Sequence, residues 1–362
     1  MKPEINQQFK QLLESTVIPE DKSNLPECGQ RLLAINEFVA NNIPNRLFRF
    51  RSANLHSVLS FEHNTIMLCS PEVFSDCFDS VVYVDKEKIY NDIKRGSQWE
   101  FLKRAIDEVR QTGFLPEPLR SFYGDANARW LEELYTSESD KNLKMALDEG
   151  NEHFLKPILE NLSPFSSGFV NSIRQNKETK IACFTEDIGS AHMWDRYASG
   201  YTGFALEYDL TGPLRGKDEE CPEDRVYPAL YPVIYTDSKY DATEITVWNL
   251  SNVLYMTHGL SPVPCPDLLY LRKAFLYKDA IGYCHEREWR FMCTCAYAKD
   301  SRFLEIETGN RMKAIYYGPY IAADIKEHLS MWAKRHKIKE YIVKMDETKK
   351  NFELVIVPLS NS

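Results

Sequence analysis

Short segments that alternate apolar with polar residues recur along this chain, and long segments with helical spacing lie between them. The alternating segments predict strands at 46–53, 64–70, 180–186, 203–210, 226–237, 287–297, 303–307 and 312–319, and a closing hairpin over 340–359. Pro228 and Pro232 indicate that 226–237 lies at a sheet edge. Strands that alternate with long helical stretches predict an α+β fold.

The helical segments define the predicted domain organisation. They lie at 5–16, 29–43, 87–180, 190–199, 244–281 and 322–337. The first two precede the strands and form a helical N-terminal extension over 1–45. The stretch at about 87–180 is predicted to be a helical insert or lid, because strands resume directly after it. Residues 46–362 are therefore predicted to form a single α+β domain that contains this insert.

Composition argues against several classes of protein. The 362 residues carry a net charge of −9, which is unlike a non-specific nucleic-acid binder. No apolar run reaches the roughly 18 residues that a membrane span needs, and the N-terminus lacks the apolar core of a signal peptide. The nine cysteines are odd in number and scattered, which is typical of reduced thiols. Cys293 and Cys295 form a C-x-C without a histidine at zinc-finger spacing. We therefore expect a cytoplasmic protein with no membrane partner and no structural metal.

Two glutamates, Glu286 and Glu288, stand two residues apart in the segment YCHEREWRFM at 283–292. Read as a strand, this segment places both carboxylates and Arg290 on one face. Two like charges at this spacing raise one pKa unless a cation compensates them. One interpretation is a salt-bridged strand, with Arg287 and Arg290 as the cations. The other is an acid pair in a cleft, where one carboxylate stabilises positive charge and the other activates a nucleophile.

Two arginines share one face of an earlier predicted strand. Arg49 and Arg51 alternate with Phe48 and Phe50, so both guanidinium groups point the same way. The planar fork of arginine suits bidentate contacts with phosphate. The alternative is an exposed face of an edge strand.

A third cluster lies in the segment CFTEDIGSAHMWDRY at 183–197. Thr185 ends a predicted strand and is a candidate to hydrogen-bond a ligand. Trp194 and Tyr197 lie one helical turn apart and are either ligand contacts or core residues; for Trp194 the core is favoured. His192 has no evident partner and is interpreted as structural.

Together these segments resemble a large bacterial family known as domain-of-unknown-function family 2971. The likeness spans roughly 46–320 and rests on FRFR (48–51), FSDCFD (74–79), CFTEDIGSAHMWDRY (183–197), GFALEYD (203–209), Lys278, EREWR (286–290) and AIYYGP (314–319). The chain has Ser75 and Cys77 where the family tends to have Asn and Pro, and Thr185 where Ser is usual. The family brings no established activity with it.

A more distant resemblance is to ADP-ribosyltransferases of the Arg–Ser–Glu class. These enzymes carry an Arg on an early strand, a Ser or Thr in a middle strand and a late E/Q-x-E motif. Here the same order is Arg51 or Arg49, then Thr185, then Glu286-x-Glu288. The resemblance implies a mixed or antiparallel β core, and NAD as the substrate.

The same resemblance implies a role for each residue. Arg51, preferred over Arg49 because the family pattern places its Arg there, would hold a phosphate or ribose of NAD, and Thr185 would brace the nicotinamide half. Glu288 would hydrogen-bond the nicotinamide ribose and stabilise an oxocarbenium-like transition state, while Glu286 would orient the acceptor or water. Further candidate contacts to the nucleotide are Trp194, Tyr197 and Lys278.

Three functions are compatible with these residues. The first is an NAD-using ADP-ribosyltransferase or NAD glycohydrolase, for example a toxin or a phage-defence effector. The second is a metal-dependent nuclease or phosphohydrolase, with Mg²⁺ held by Asp76, Asp79, Glu286 and Glu288 and with Lys278 and the two arginines on phosphate. The third is a non-catalytic binding module in which the acids are salt-bridged. The sequence does not specify the acceptor substrate or the oligomeric state.

Overall fold

A computed structural model describes residues 3–20, 25–96, 99–149, 166–211, 214–215, 225–226, 229–257, 261–294, 301–348, 350 and 353–359. Its helices are α1 (Pro3–Ser15), α2 (Leu25–Asn42), α3 (Leu55–Glu62), α4 (Lys86–Gly96), α5 (Trp99–Thr112), α6 (Glu117–Ser137), α7 (Asp140–Asp148), α8 (166–174), α9 (Ala191–Tyr197), α10 (Thr243–Thr257), α11 (Tyr270–Ala274), α12 (Ala280–Tyr283) and α13 (Ala323–Arg335). Its strands are β1 (Leu47–Arg51), β2 (Thr65–Cys69), β3 (Thr179–Thr185), β4 (Phe204–Tyr208), β5 (Leu214–Arg215), β6 (Arg225–Val226), β7 (Ala229–Pro232), β8 (Ile234–Thr236), β9 (Tyr277–Asp279), β10 (Glu288–Thr294), β11 (Phe303–Glu307), β12 (Met312–Tyr317), β13 (Lys339–Met345) and β14 (Leu354–Pro358).

The strands form one large mixed sheet and a small two-stranded sheet, so the fold combines helices with a mixed sheet, as predicted. The large sheet runs β14–β13–β12–β4–β1–β3–β2–β11–β5–β6; β10 pairs with β3, and β7 pairs with the other edge of β10. Most pairs are antiparallel. Among the described strands, β12 and β13 form a parallel pair in the large sheet, and β8 and β9 form the small parallel pair.

The sheet divides at β3. Strand β10 pairs with all seven residues of β3 and therefore fills one of its two edges. The other edge is shared: β1 pairs with it at Phe48–Thr185, and β2 pairs with it at Cys69–Ile181. Because β1 and β2 meet β3 at different points on the same edge, they diverge and leave a fork between them.

Hydrophobic clusters cover both faces of the sheet. Alternation along β10 sends Trp289 and Phe291 into one cluster, which α3 and α13 cover through Phe61 and Leu329. Met292 on the opposite face joins a second cluster, formed with α1 and α2. The helical N-terminal segment thus shares a core with the sheet: Phe9 of α1 stacks against Tyr231 of β7 at 6.3 Å.

The described part of 86–175 contains helices and turns without strands. Helices α4 to α7 bury their own apolar cluster, which includes Ile106, Leu131 and Tyr135. Leu250 of α10 completes that cluster, so α10 joins the insert to the rest of the chain.

Two predicted features differ from the structure. The helical segment predicted at 244–281 contains β9, because Tyr277–Asp279 pairs with β8 and leaves the helical path. The strand predicted from 287 begins at Glu288, since Cys284–Glu286 forms a 3-10 turn. Cys295 of the C-x-C lies outside the described residues. None of the described helices has the length and apolar character needed to cross a membrane.

A substitution at Gly203 tests how closely the chain approaches the end of β1. A Cβ at this position would lie 2.1 Å from the Arg51 carbonyl oxygen, so the backbone at the end of β1 would have to move. We expect Gly203→Ala to lower the free energy of unfolding by about 1–3 kcal/mol in urea denaturation. The matched control is Gly29→Ala in α2, where no atom lies within 4 Å of the new Cβ. That variant should gain up to about 1 kcal/mol from helix propensity, and equal losses in the two variants would contradict the close approach.

Candidate functional site at the fork in the sheet

A cavity of about 210 Å³ opens at the fork between β1 and β2. Its wall is built by β1, β3, β10, the turn before α4 and the tip of α9. The residues that line it include six of the eight candidates for catalysis and nucleotide binding. These six are Arg49, Arg51, Tyr197, Lys278, Glu286 and Glu288. Residues that are far apart in sequence therefore meet at one place.

One ammonium group joins the two glutamates. Lys278 Nζ donates to Glu286 Oε2 at 2.7 Å and to Glu288 Oε2 at 2.7 Å. The second oxygen of Glu286 accepts from the Tyr197 hydroxyl at 2.8 Å. All three charged groups are at least 92% buried, so the two negative charges are held close together by a cation in a region of low dielectric.

A turn, and not strand alternation, brings Glu286 beside Glu288. Arg287 between them adopts a left-handed conformation with φ of 46°, which reverses the chain before β10 begins. The Thr185 hydroxyl donates to the Glu286 carbonyl at 2.6 Å and fixes this turn against β3. The strand interpretation of 283–292 is therefore wrong for Glu286, although Glu288 and Arg290 do share a face of β10. Of the two predicted compensating cations, Arg287 points instead towards Asp187, at 4.0 Å.

The second cation of the acid cluster is Arg290, which is completely buried. Its Nε donates to Glu288 Oε1 at 2.8 Å, its two terminal nitrogens bind both oxygens of Asp79, and Nη1 also reaches the Phe275 carbonyl at 2.6 Å. Each of its three nitrogens thus has an acceptor, as a buried guanidinium requires.

These contacts fix the charge of the cluster. Burial alone would raise the pKa of Glu288, but the positive charges of Arg290 and Lys278 outweigh it, and the pKa lies well below its usual range. Burial works against the charge of Lys278 too, yet Glu288 and Glu286 hold its pKa above the ordinary value. Glu288 is therefore a permanent carboxylate near neutral pH, able to stabilise positive charge but not to donate a proton.

The arginine side of the cavity is different, because its charges are not matched. Arg49 Nη2 donates to the Met67 carbonyl of β2 at 2.6 Å, across the fork, while its Nη1 is buried without a hydrogen-bond partner. Among the described residues, no carboxylate forms an ion pair with Arg49 or Arg51. Burial and the neighbouring Arg49 charge lower the pKa of Arg51 to about 9, so it is still protonated at neutral pH. Two cations without counter-charges favour an anionic ligand.

Two of the predicted residues do not line the cavity. The Trp194 side chain is fully buried against Phe50, with ring centroids 4.9 Å apart, and its indole nitrogen donates to the Ile188 carbonyl at 2.8 Å. It is a core residue, the interpretation that the sequence favoured. Thr185 is also buried, and its hydroxyl is used by the Glu286 turn. Thr185 therefore affects the cavity indirectly, because it fixes the position of Glu286.

The carboxylates proposed for Mg²⁺ are not grouped as a metal site. Asp79 and Glu288 are bound by Arg290, and Glu286 and Glu288 by Lys278, so three of the four proposed carboxylates are already paired with cations of the protein. Asp76, the fourth, forms no ion pair with a described residue. Within the described part of the chain, the group of three side chains whose donor atoms lie close enough to share an ion is His192, His285 and Glu286.

Sequence reasoning missed the partners that hold the acids in place. The Glu288 amide donates to the Tyr235 hydroxyl at 2.8 Å, and Asp79 is the bidentate partner of Arg290. The sequence pointed to Asp79 as part of the FSDCFD motif and as a possible Mg²⁺ ligand, but not as a partner of Arg290. Nothing in the sequence paired it with an arginine more than 200 residues away.

No family model, curated protein or solved structure matches the chain. The likeness to family 2971 and to ADP-ribosyltransferases remains a prediction.

The depressed pKa of Glu288 gives a test of the charge cluster. An unfolded glutamate titrates near pH 4.3, so below that pH the unfolded state binds more protons than the native state. The stabilising contribution of Glu288 is present above about pH 5 and is lost as the pH falls towards the native pKa. In urea denaturation between pH 6 and pH 3, we expect stability to fall more steeply for the wild type than for Glu288→Gln. Exposed Glu108 in α5 provides the control, because Glu108→Gln should keep the wild-type slope. The same slope in all three proteins would show that Glu288 is not held as an ion.

Proposed function

We propose that this chain is an NAD-using ADP-ribosyltransferase or NAD glycohydrolase. One observation carries the proposal: a single cavity is lined on one side by Arg49 and Arg51, which pair with no carboxylate of the described residues, and on the other by Glu286 and Glu288. A dinucleotide has the matching chemistry, since its pyrophosphate is anionic and its nicotinamide ribose becomes cationic as the glycosidic bond breaks.

The arginine pair suits the pyrophosphate. Arg51 lines the cavity and makes no ion pair with a described residue, and Arg49 has a buried Nη1 that lacks an acceptor. Phosphate oxygens would supply the missing acceptors and counter-charge. Because Arg49 is anchored to Met67 by its other nitrogen, Arg51 is the more available of the two for bidentate contact.

The acid pair suits the reacting sugar. In this reaction the bond from C1′ to nicotinamide breaks, its electron pair leaves with nicotinamide, and positive charge develops on the ribose. Glu288 is held as a carboxylate by Arg290 and Lys278, so its charge is in place before the bond breaks. A nucleophile near Glu286 then forms the new bond at C1′ and gives its proton to the Glu286 carboxylate. With water the reaction is NAD hydrolysis, and with an acceptor group it is ADP-ribosyl transfer.

The biological setting follows from the resemblance alone. The likeness to the bacterial family 2971 supports a cytoplasmic bacterial protein, and the transferase likeness supports an effector that acts as a toxin or in phage defence. The acceptor would be a protein or a nucleic acid.

One contact favours a second candidate function, that of a non-catalytic binding module. Lys278 donates to both glutamates and neutralises much of their charge, which is the arrangement expected of a nucleotide-binding module without turnover. Ligand binding at the arginine side is common to both proposals, so chemistry on the bound ligand separates them.

Turnover of NAD⁺ is the first test. We expect purified protein to bind NAD⁺ in calorimetry and to release nicotinamide, measured by chromatography. Glu288→Gln should keep NAD⁺ binding and lower nicotinamide release by about 100-fold or more, since it removes the charge that stabilises the transition state. Glu108→Gln should behave like the wild type. Binding without release in the wild type would favour the binding module, and the absence of binding by folded protein would exclude both.

Arg51 provides a separate test of the anion side. We expect Arg51→Met to weaken NAD⁺ binding by about 10- to 100-fold, because a charged hydrogen bond is lost. The same change should keep or raise the thermal midpoint of the ligand-free protein, since it removes a half-buried cation that pairs with no carboxylate in the described part of the chain. Arg46→Met is the control: Arg46 is paired with Glu207 and does not line the cavity. Unchanged NAD⁺ affinity in Arg51→Met would show that Arg51 does not bind the ligand.

A further inference from the structure

Two histidines meet beside the cavity, next to Glu286. His192 lies in the first turn of α9 and His285 in the 3-10 turn before β10, and their ring centroids are 4.1 Å apart in an edge-to-face arrangement. One donor atom from each ring and a carboxylate oxygen of Glu286 lie within 4.8 Å of one another. The candidate catalytic site uses neither imidazole.

The two imidazoles are available as ligands. Neither ring makes a hydrogen bond with a described residue, in contrast to His328, whose Nε2 lies 2.7 Å from Glu62.

We propose that His192, His285 and Glu286 form a binding site for a zinc-class transition-metal ion. Bonds of about 2.0–2.2 Å to nitrogen and oxygen place tetrahedral ligand atoms roughly 3.3–3.6 Å apart. The donor atoms are now up to 4.8 Å apart, and His192 is exposed, so rotation of its side chain can bring them closer together. Water would fill the fourth position.

The types of ligand and the neighbouring charges determine which metal ions this site prefers. Two imidazoles and one carboxylate suit Zn²⁺, Co²⁺ or Ni²⁺, whereas Mg²⁺ and Ca²⁺ prefer oxygen ligands. The positive charges of Lys278 and Arg196 lie close enough to act on His285 and oppose a dication. The site therefore favours ions that form strong bonds to nitrogen, with moderate affinity.

Coordination would also change the acid pair. The Glu286 oxygens are engaged by Tyr197 and Lys278, so an ion that binds this carboxylate must replace or share one of those contacts. Zinc should then inhibit nicotinamide release, a consequence that rests on the proposed NAD chemistry. Zinc binding itself does not depend on it.

The test is titration of the full chain with Zn²⁺ in calorimetry, and with Co²⁺ in visible absorption, where four-coordinate nitrogen and oxygen ligation gives intense bands. We expect one site per chain, no response to Mg²⁺, and affinity at least about 10-fold weaker in both His192→Ala and His285→Ala. His192 is exposed, so its variant should fold normally.

Two controls separate this site from other ligands. His328→Ala removes a histidine elsewhere and should leave zinc affinity unchanged. Cys284→Ser removes an exposed thiol adjacent to His285 and should also leave it unchanged. Three results would overturn the proposed site. The protein does not bind zinc, zinc binding survives both histidine variants, or zinc binding is lost only in Cys284→Ser. If zinc binds as expected but no nicotinamide is ever released, the metal site stands and the proposed NAD chemistry fails.

Discussion

The site depends on the burial of one guanidinium group. Arg290 has no solvent to satisfy it, so the fold supplies Asp79, Glu288 and the Phe275 carbonyl from three separate parts of the chain. Removing one partner from such a cluster leaves an uncompensated buried charge, which costs about 3–5 kcal/mol. The turn before α4, the end of α11 and the start of β10 are therefore held in one arrangement. The position and charge of Glu288 follow from that requirement.

The fork in the sheet explains why the two sides of the cavity differ. On the β10 side, β9 lies close enough to bring Lys278 to both acids, so negative and positive groups are interleaved. On the β1 side, the strands diverge and Arg49 reaches only the backbone of β2. Its counter-charge is not supplied by a described residue. Glu286 and Glu288 are thus paired with a cation, whereas Arg49 and Arg51 have no carboxylate partner among the described residues, and an anionic ligand is the simplest group that would supply it.

The sequence predicted the elements better than the contacts. Strands formed by short apolar runs, such as β3 and β12, and helix α13 were predicted within a few residues, because the signals for them are local in sequence. Strand β9 was missed, since three residues carry no periodicity and their pairing with β8 is tertiary. Grouping the arginines with the acids relied on resemblance, and the structure does bring them to one cavity. The left-handed Arg287 could not be predicted, because nothing in its residue type requires that conformation.

The proximity of Glu286 and Glu288 has a physical consequence beyond charge balance. Since one ammonium group donates to both carboxylates, a change at either acid alters the other through Lys278. A sugar hydroxyl that donates to Glu288 would displace the ammonium group from that carboxylate, and a metal ion at Glu286 would displace the same ammonium group from the other. Glu286 is also tied to Tyr197 on α9, which begins beside His192. The shared lysine thus couples the cavity to the histidine pair at its edge, and two ligands of different chemistry would compete through a single side chain without touching each other.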